Sequence, residues 1–326
     1  MVLIRNHRRK IRTLTGLLCA MTFSMFVFSY TLREPSLYFF RSVLGLSGST
    51  CSCRHCITHL EDEDDSWFME RFNQSFHPLM SRKSSMLSDD TYRWWQVSHI
   101  SPSNLTIVLD RLFQLLPAEE RYVDAHPDRC RTCSVVGNSG NLRESRYGSY
   151  IDSSDFVIRM NQAPTQGFEK DVGYKTTHHL MYPESATDLD NSTSLILIPF
   201  KTLDLEWIIS ALTTGDISKL SRITANKDKV LIYNPRFLKY VYDSWLEGHG
   251  RYPSTGFLSL MFAIHICDEV NVFGFGADQD GNWHHYWEDN MLGGAFRHTG
   301  VHDGDYEYNI TLLLADKHKI TLYRGG

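Results

Sequence analysis

CSVVGNSGNLRESRYGSYIDSSDFVIRMN, residues Cys133 to Asn161, alternates short apolar runs with stretches of helical length. Ser134 to Val136 reads as a strand, Asn141 to Tyr147 as the start of a helix, and Phe156 to Ile158 as a second strand. Working outward, Leu195–Ile198 and Val230–Tyr233 supply two more strands. Phe257 to Cys267 has helical length, and Val270–Phe273 follows it as a strand. Strands that alternate with helices in this way predict an α/β fold with a parallel sheet covered on both faces.

Ligands of such sheets bind beyond the carboxyl ends of the strands. Gly137-Asn138-Ser139-Gly140 lies there, after the first strand, and its backbone N–H groups suit a phosphate. The spacing is not that of a dinucleotide fingerprint. Asn138 and Asn161 follow consecutive strands, although Asn in a turn needs no further explanation. Tyr252-Pro253-Ser254-Thr255-Gly256 leads into the Phe257 helix; Ser254 or Thr255 is an ordinary N-cap, and the same helix end suits an anion. The C-terminal third is dense in histidine, with His284, His285, His298 and His302 near Glu288 and Glu307. A metal site is the rival reading there, but neighbours on a regular strand point to opposite faces. Asp278-x-Asp280 has the form of a metal-binding D-x-D, which also occurs at Asp62, Asp188 and Asp303.

Acidic residues outnumber basic ones, 38 to 33, and Arg5, Arg8, Arg9, Lys10 and Arg12 crowd the first turns of sequence. No basic patch in the body points to nucleic acid. Behind that cluster, Leu14 to Tyr30 carries no charge, and the run ends without a small-x-small cleavage site. The expected organisation is a cytosolic tail over 1–13, a signal-anchor transmembrane helix over 14–30, a luminal stem over 31–66 and a luminal domain over 67–326. Four N-x-S/T acceptors, Asn73, Asn104, Asn191 and Asn309, fit a luminal body. So does the even set Cys51, Cys53, Cys56, Cys130, Cys133 and Cys267. The spacing Cys53-x2-Cys56 with Cys130-x2-Cys133 leaves a four-thiolate zinc site as the alternative.

In order and spacing these pieces resemble the four sialylmotifs of the eukaryotic sialyltransferases. Cys130 to His179 resembles the large motif and His249 to Gly276 the small one; His284-His285-Tyr286-Trp287-Glu288 and His302-Asp-Gly-Asp-Tyr-Glu307 resemble the third and the very small motif. Asp90 to Trp95 and Gly281 to Glu288 look most similar to the beta-galactoside alpha-2,3-sialyltransferases 1 and 2. The resemblance implies a Rossmann-like, mostly parallel sheet flanked by helices, a variant of the GT-A architecture working without metal or other cofactor. It implies CMP-sialic acid as donor and a galactose-terminated glycoprotein or glycolipid, with Gal-beta-1,3-GalNAc ends, as acceptor. Asn138 and Asn161 match positions that hold the nucleotide, and Ser139, next to Asn138, is counted with them. Tyr252, Ser254, Thr255 and Gly256 match the segment that meets the donor. His285 matches the histidine beside the donor phosphate, His302 the base, and Cys133–Cys267 a disulfide; the remaining four cysteines would form two more bridges of unassigned order. A Golgi membrane enzyme of type II topology follows. Between Thr214 and Val230 the chain is several residues shorter than those relatives, in a loop that adjoins the active site. The rival classes are a metal-dependent D-x-D glycosyltransferase and a catalytically weak glycan-binding relative. Oligomeric state is not readable; a homodimer is one arrangement the sequence allows.

Overall fold

A computed structural model describes residues 50–58, 66–96, 103–215, 222–277, 282–289 and 300–325. The tail, the anchor over 14–30, most of the stem, and Asp278 and Asp280 lie outside the described residues. No helix among the described residues is long and apolar enough to cross a membrane.

Seven strands form one sheet in the order β5-β4-β3-β2-β1-β6-β7. They are β1 (Thr132–Val136), β2 (Phe156–Met160), β3 (His178–Met181), β4 (Ser194–Leu197), β5 (Val230–Ile232), β6 (Glu269–Phe273) and β7 (Thr321–Tyr323). Every pairing is parallel. The central strands are buried on both faces, so their sequences are mostly apolar rather than alternating. The helices used below are α1 (Asp89–Gln96), α2 (Leu105–Leu115), α3 (Gly148–Asp152), α4 (Thr202–Ala211), α5 (Thr255–Ile266) and α6 (Gly304–Asp316). Helix α5 packs on β1, β2, β3 and β6, while α2 lies against α4. Because α5 sits on the middle of the sheet, it is apolar almost all round, with Leu258, Leu260, Met261, Phe262 and Ala263 fully enclosed.

Two strands, β3 and β7, were not in the sequence expectation. The helix expected over Asn141–Tyr147 is corrected to a single 3-10 turn, Gly140–Leu142. Glu144 and Arg146 take φ values of 61° and 57°, which no helix contains. The Asp171 carboxylate holds that contorted backbone by accepting from both of their N–H groups, at 3.0 and 2.9 Å.

The six cysteines pair as Cys51–Cys56, Cys53–Cys130 and Cys133–Cys267, which uses every sulfur of the zinc alternative. Cys51–Cys56 closes a local loop, and Cys53–Cys130 ties residues 50–58 to the domain. Ile57 is buried in the main core, and its N–H donates to the Asp268 carbonyl at 2.9 Å. The globular part therefore takes in chain before Trp67, where the stem boundary was expected. Cys133 opens β1, and Cys267 caps the C-terminus of α5. Their bridge closes a sequence separation of 134 residues. Loop-closure entropy then gives it a stabilisation of about 4–5 kcal/mol. The double variant Cys133→Ala/Cys267→Ala of the full chain is expected to lose that much unfolding free energy, with a lower urea midpoint. An unchanged midpoint would show that the bridge adds nothing.

Candidate functional site

The direction of strand succession reverses between β1 and β6, the topological switch point at which open α/β sheets bind ligands. Gly137 follows β1 and Gly274 follows β6. A Cβ on Gly137 would stand 2.3 Å from the Gly274 carbonyl oxygen, and Gly274 itself has φ of 70°, so neither position tolerates a side chain. The close passage lets the two loops splay apart beyond it, and a cavity of about 280 Å³ opens there. Its floor is Gly137–Ser139, Met160, Asn161 and Gly274–Gly276. One wall is the start of α5 (Ser254, Gly256, Phe257), another the first turns of α6 (Gly304, Glu307, Tyr308, Thr311), and Trp283, His284 and His285 complete it.

Two carboxamides lie in the floor with unmet hydrogen-bonding capacity. Asn138 donates from Nδ2 to the Met160 carbonyl at 3.3 Å, while its Oδ1 is buried without a partner. Asn161 takes φ of 58°, a conformation asparagine tolerates better than most residues, and its backbone carbonyl bonds the buried His179 ring. Its Oδ1 is also buried and unpartnered. A buried acceptor left unmade costs about 1–3 kcal/mol. Both residues line the cavity, so two unmet acceptors lie at its edge, where a ligand's donors would be their partners.

At the wall, Ser254 caps α5 by accepting from Phe257 N–H through Oγ at 3.1 Å. The Glu307 carboxyl holds that cap, accepting from Ser254 N–H at 2.7 Å and from its hydroxyl. Burial pushes the Glu307 carboxyl up to about 7, against the hydrogen bonds from Ser254. The N–H groups of the first turn of α5 have no partner within the helix and favour negative charge.

The histidines divide by environment. His285 donates from Nδ1 to Glu288 at 2.8 Å and stacks on Trp287 with ring centroids 4.4 Å apart. That leaves Nε2 for the cavity. Both His284 and His285 line it, because this segment is irregular and Ser139 pairs with His285 in an isolated bridge; the strand alternation argued from sequence does not operate here. His302 donates from Nδ1 to the Tyr252 carbonyl at 2.7 Å, which fixes its tautomer with the lone pair on Nε2. Burial lowers its basicity, opposed by that hydrogen bond. Gly250, with φ of 73°, makes this possible, since a Cβ there would press within 3.4 Å of the Val301–Asp303 backbone.

Of the expected residues, Asn138, Ser139, Asn161, Ser254, Gly256 and His285 line the cavity. Thr255 is buried in the helix start and Tyr252 spends its hydroxyl on the Trp95 carbonyl at 3.0 Å; neither lines it. His302 is not among the lining residues; it lies two residues before Gly304, which is. Trp283, Phe275 and Tyr308 were not anticipated, and a single aromatic in sequence carries no signal for lining over packing. Among the described residues, no group of three His, Cys, Asp or Glu side chains is placed to hold a metal ion. Asn73, Asn104, Asn191 and Asn309 are all exposed. Asn104 caps α2, and Asn309 lies within α6.

Residues 79–319 match the sequence model of Glycosyltransferase family 29 (sialyltransferase). The chain is 49% identical, over the whole of both chains, to human CMP-N-acetylneuraminate-beta-galactosamide-alpha-2,3-sialyltransferase 1. It is 52% identical to the rat sialyltransferase 2 of the same name, covering 86% of this chain and 82% of that one. The crystal structure of a mammalian sialyltransferase superposes with a TM-score of 0.77 at 52% identity, covering 85% of this chain and 99% of that one. A second crystal structure, of a mammalian sialyltransferase in complex with Gal-beta-1-3GalNAc-ortho-nitrophenol, superposes equally well.

The Glu307 environment has a measurable consequence. A carboxyl whose folded pKa is about 7, above the usual 4.5, binds a proton more tightly when folded, so its contribution is present at low pH and lost as pH rises through about 7. The total loss is roughly 3 kcal/mol. Glu307→Gln keeps an acceptor for Ser254 N–H and removes the titration. Relative to the native chain it should therefore gain stability on going from pH 5 to pH 8, read as the difference between two urea titrations. A constant difference across that range would contradict the buried, proton-binding carboxyl.

Proposed function

We infer that this chain, which belongs to glycosyltransferase family 29, the sialyltransferases, moves sialic acid from CMP-sialic acid to the 3-hydroxyl of a terminal galactose. The observation that carries the donor assignment is the pair of buried, unpartnered carboxamide oxygens of Asn138 and Asn161 in the switch-point cavity, below the N-terminus of α5. An amino pyrimidine and ribose hydroxyls supply donors for them, and the phosphate suits the helix end. Full-length similarity to enzymes named beta-galactosamide alpha-2,3-sialyltransferases, and to a structure holding a Gal-beta-1-3GalNAc compound, supports that disaccharide end as acceptor.

In this reading the bond from sialic acid C2 to the phosphate oxygen breaks, and its electron pair leaves with CMP. The galactose 3-oxygen attacks C2 from the opposite face, inverting it, and gives its proton to His302 Nε2. Burial shifts the His302 ring towards its neutral form, the form in which it works as a base. His285, oriented by Glu288, hydrogen-bonds the departing phosphate. Glu307 holds Ser254, and so the first turn of α5, in place. The chemistry asks no metal of the protein, since the leaving group is a monophosphate ester. A type II Golgi anchoring of the chain belongs to the same proposal.

His302→Ala is expected to fold, to bind CMP as the native chain does, and to lose about a hundred- to ten-thousandfold in turnover with a Gal-beta-1,3-GalNAc acceptor. In the same assay, activity should survive exhaustive EDTA. Near-native turnover in the variant would remove His302 from the mechanism, and an EDTA loss restored by manganese would favour a metal-dependent transferase.

A further inference from the structure

The base is held by a carbonyl, and that carbonyl is held by a residue with no contact to the cavity. Arg251 Nη2 donates to the Trp94 carbonyl at 2.8 Å and to the Tyr252 hydroxyl at 2.9 Å. Its guanidinium carbon lies 4.2 Å from the centre of the Tyr252 ring and 5.8 Å from that of Trp94. The Tyr252 hydroxyl in turn donates to the Trp95 carbonyl at 3.0 Å. On the other side, the N–H groups of Arg251 and Tyr252 both point to the Val301 carbonyl, at 2.9 and 3.1 Å, next to His302. The Tyr252 peptide is thus fixed from the side chain by α1 and from the backbone by the His302 loop.

We propose that Arg251 is a positioning residue for the transfer reaction: by clamping Tyr252 between α1 and the 301–303 loop, it aims the Tyr252 carbonyl at His302 Nδ1 and so presents Nε2 as the base. This rests on the assignment of His302 above. The guanidinium matters because Nη2 alone reaches the carbonyl and the hydroxyl while the planar group lies over the ring that bears the hydroxyl, a face that an ammonium lacks. Next to His302 in sequence, Asp303 pairs with His249 at 3.1 Å, and no charged group acts on the His302 ring. Burial and the Tyr252 carbonyl are what act on the His302 proton, so loosening the clamp admits water and releases the tautomer.

The test is nitrogen NMR of the full-length chain in detergent with ring-labelled histidine, His302 being identified by its loss in His302→Ala, alongside kcat against pH. The native chain should show the Nδ1–H tautomer. In Arg251→Ala, His302 should populate Nε2–H and titrate closer to the ordinary value of about 6.5. Its kcat should fall roughly ten- to a hundredfold, with the acid limb moved to higher pH and CMP affinity unchanged. Arg251→Lys should show the same changes to a smaller degree, and it decides the matter if the alanine variant fails to fold. A native tautomer and an unmoved acid limb in the folded variants would overturn the proposal. The tautomer is read without turnover, so a moved tautomer in Arg251→Ala would sustain the clamp even if His302→Ala proved active and the base assignment fell.

Discussion

Where β1 and β6 end, two backbones pass so closely that no side chain fits between them, and the site depends on that passage. Gly137 and Gly274 permit it. A methyl group at either would push the loops apart before they reach the cavity, displacing Asn138 and Ser139 on one side and Phe275 and Gly276 on the other. The same junction is braced from behind, where Cys133 at the head of β1 is bonded to Cys267 at the foot of α5. Helix α5 is thereby registered against the strand that it serves, with its amino end at the cavity and its carboxyl end at the bridge. Sheet order, disulfide and helix direction converge on one point, as they must if an anion is to meet unpaired N–H groups.

Around that point, the two histidines are distinguished by what their ring nitrogens touch. His285 gives its Nδ1 proton to a carboxylate, that of Glu288. His302 faces a carbonyl in a half-buried setting, where the neutral ring is favoured. Opposite chemical duties therefore need no unusual residue types, only a different acceptor for Nδ1. Glu307, unlike the two histidines, is buried, and its task is to keep the α5 cap in place.

Much of this was legible in the chain itself. The apolar runs at Ser134–Val136, Phe156–Ile158, Leu195–Ile198 and Val270–Phe273 announce a buried parallel sheet because only strands covered on both faces read that way. Strand β3 was hidden because its first two residues are histidines. Both are buried and neutral, His178 lowered to about 3 and His179 to about 4 by burial, and hydropathy counts them as surface residues. Strand β7 was hidden by its length and by its position at the sheet edge. The helix expected after Gly140 failed because Asp171, remote in sequence, takes up the N–H groups that a helix would have used. In the site, the turn asparagines and the Ser254 cap were readable from their place after strands and before a helix. That Tyr252 acts through its carbonyl was not, since no side-chain pattern reports a backbone contact made 50 residues away.

The central claim is that the donor nucleotide occupies the cavity between the β1 and β6 loops, against the start of α5. Hydrogen–deuterium exchange of the full-length chain, with and without CMP, tests it most directly. The account predicts slowed exchange in peptides containing Asn138, Asn161 and Thr255–Gly256, with little change along β4 and β5. Protection confined to other segments, with those peptides exchanging as in the free chain, would contradict it.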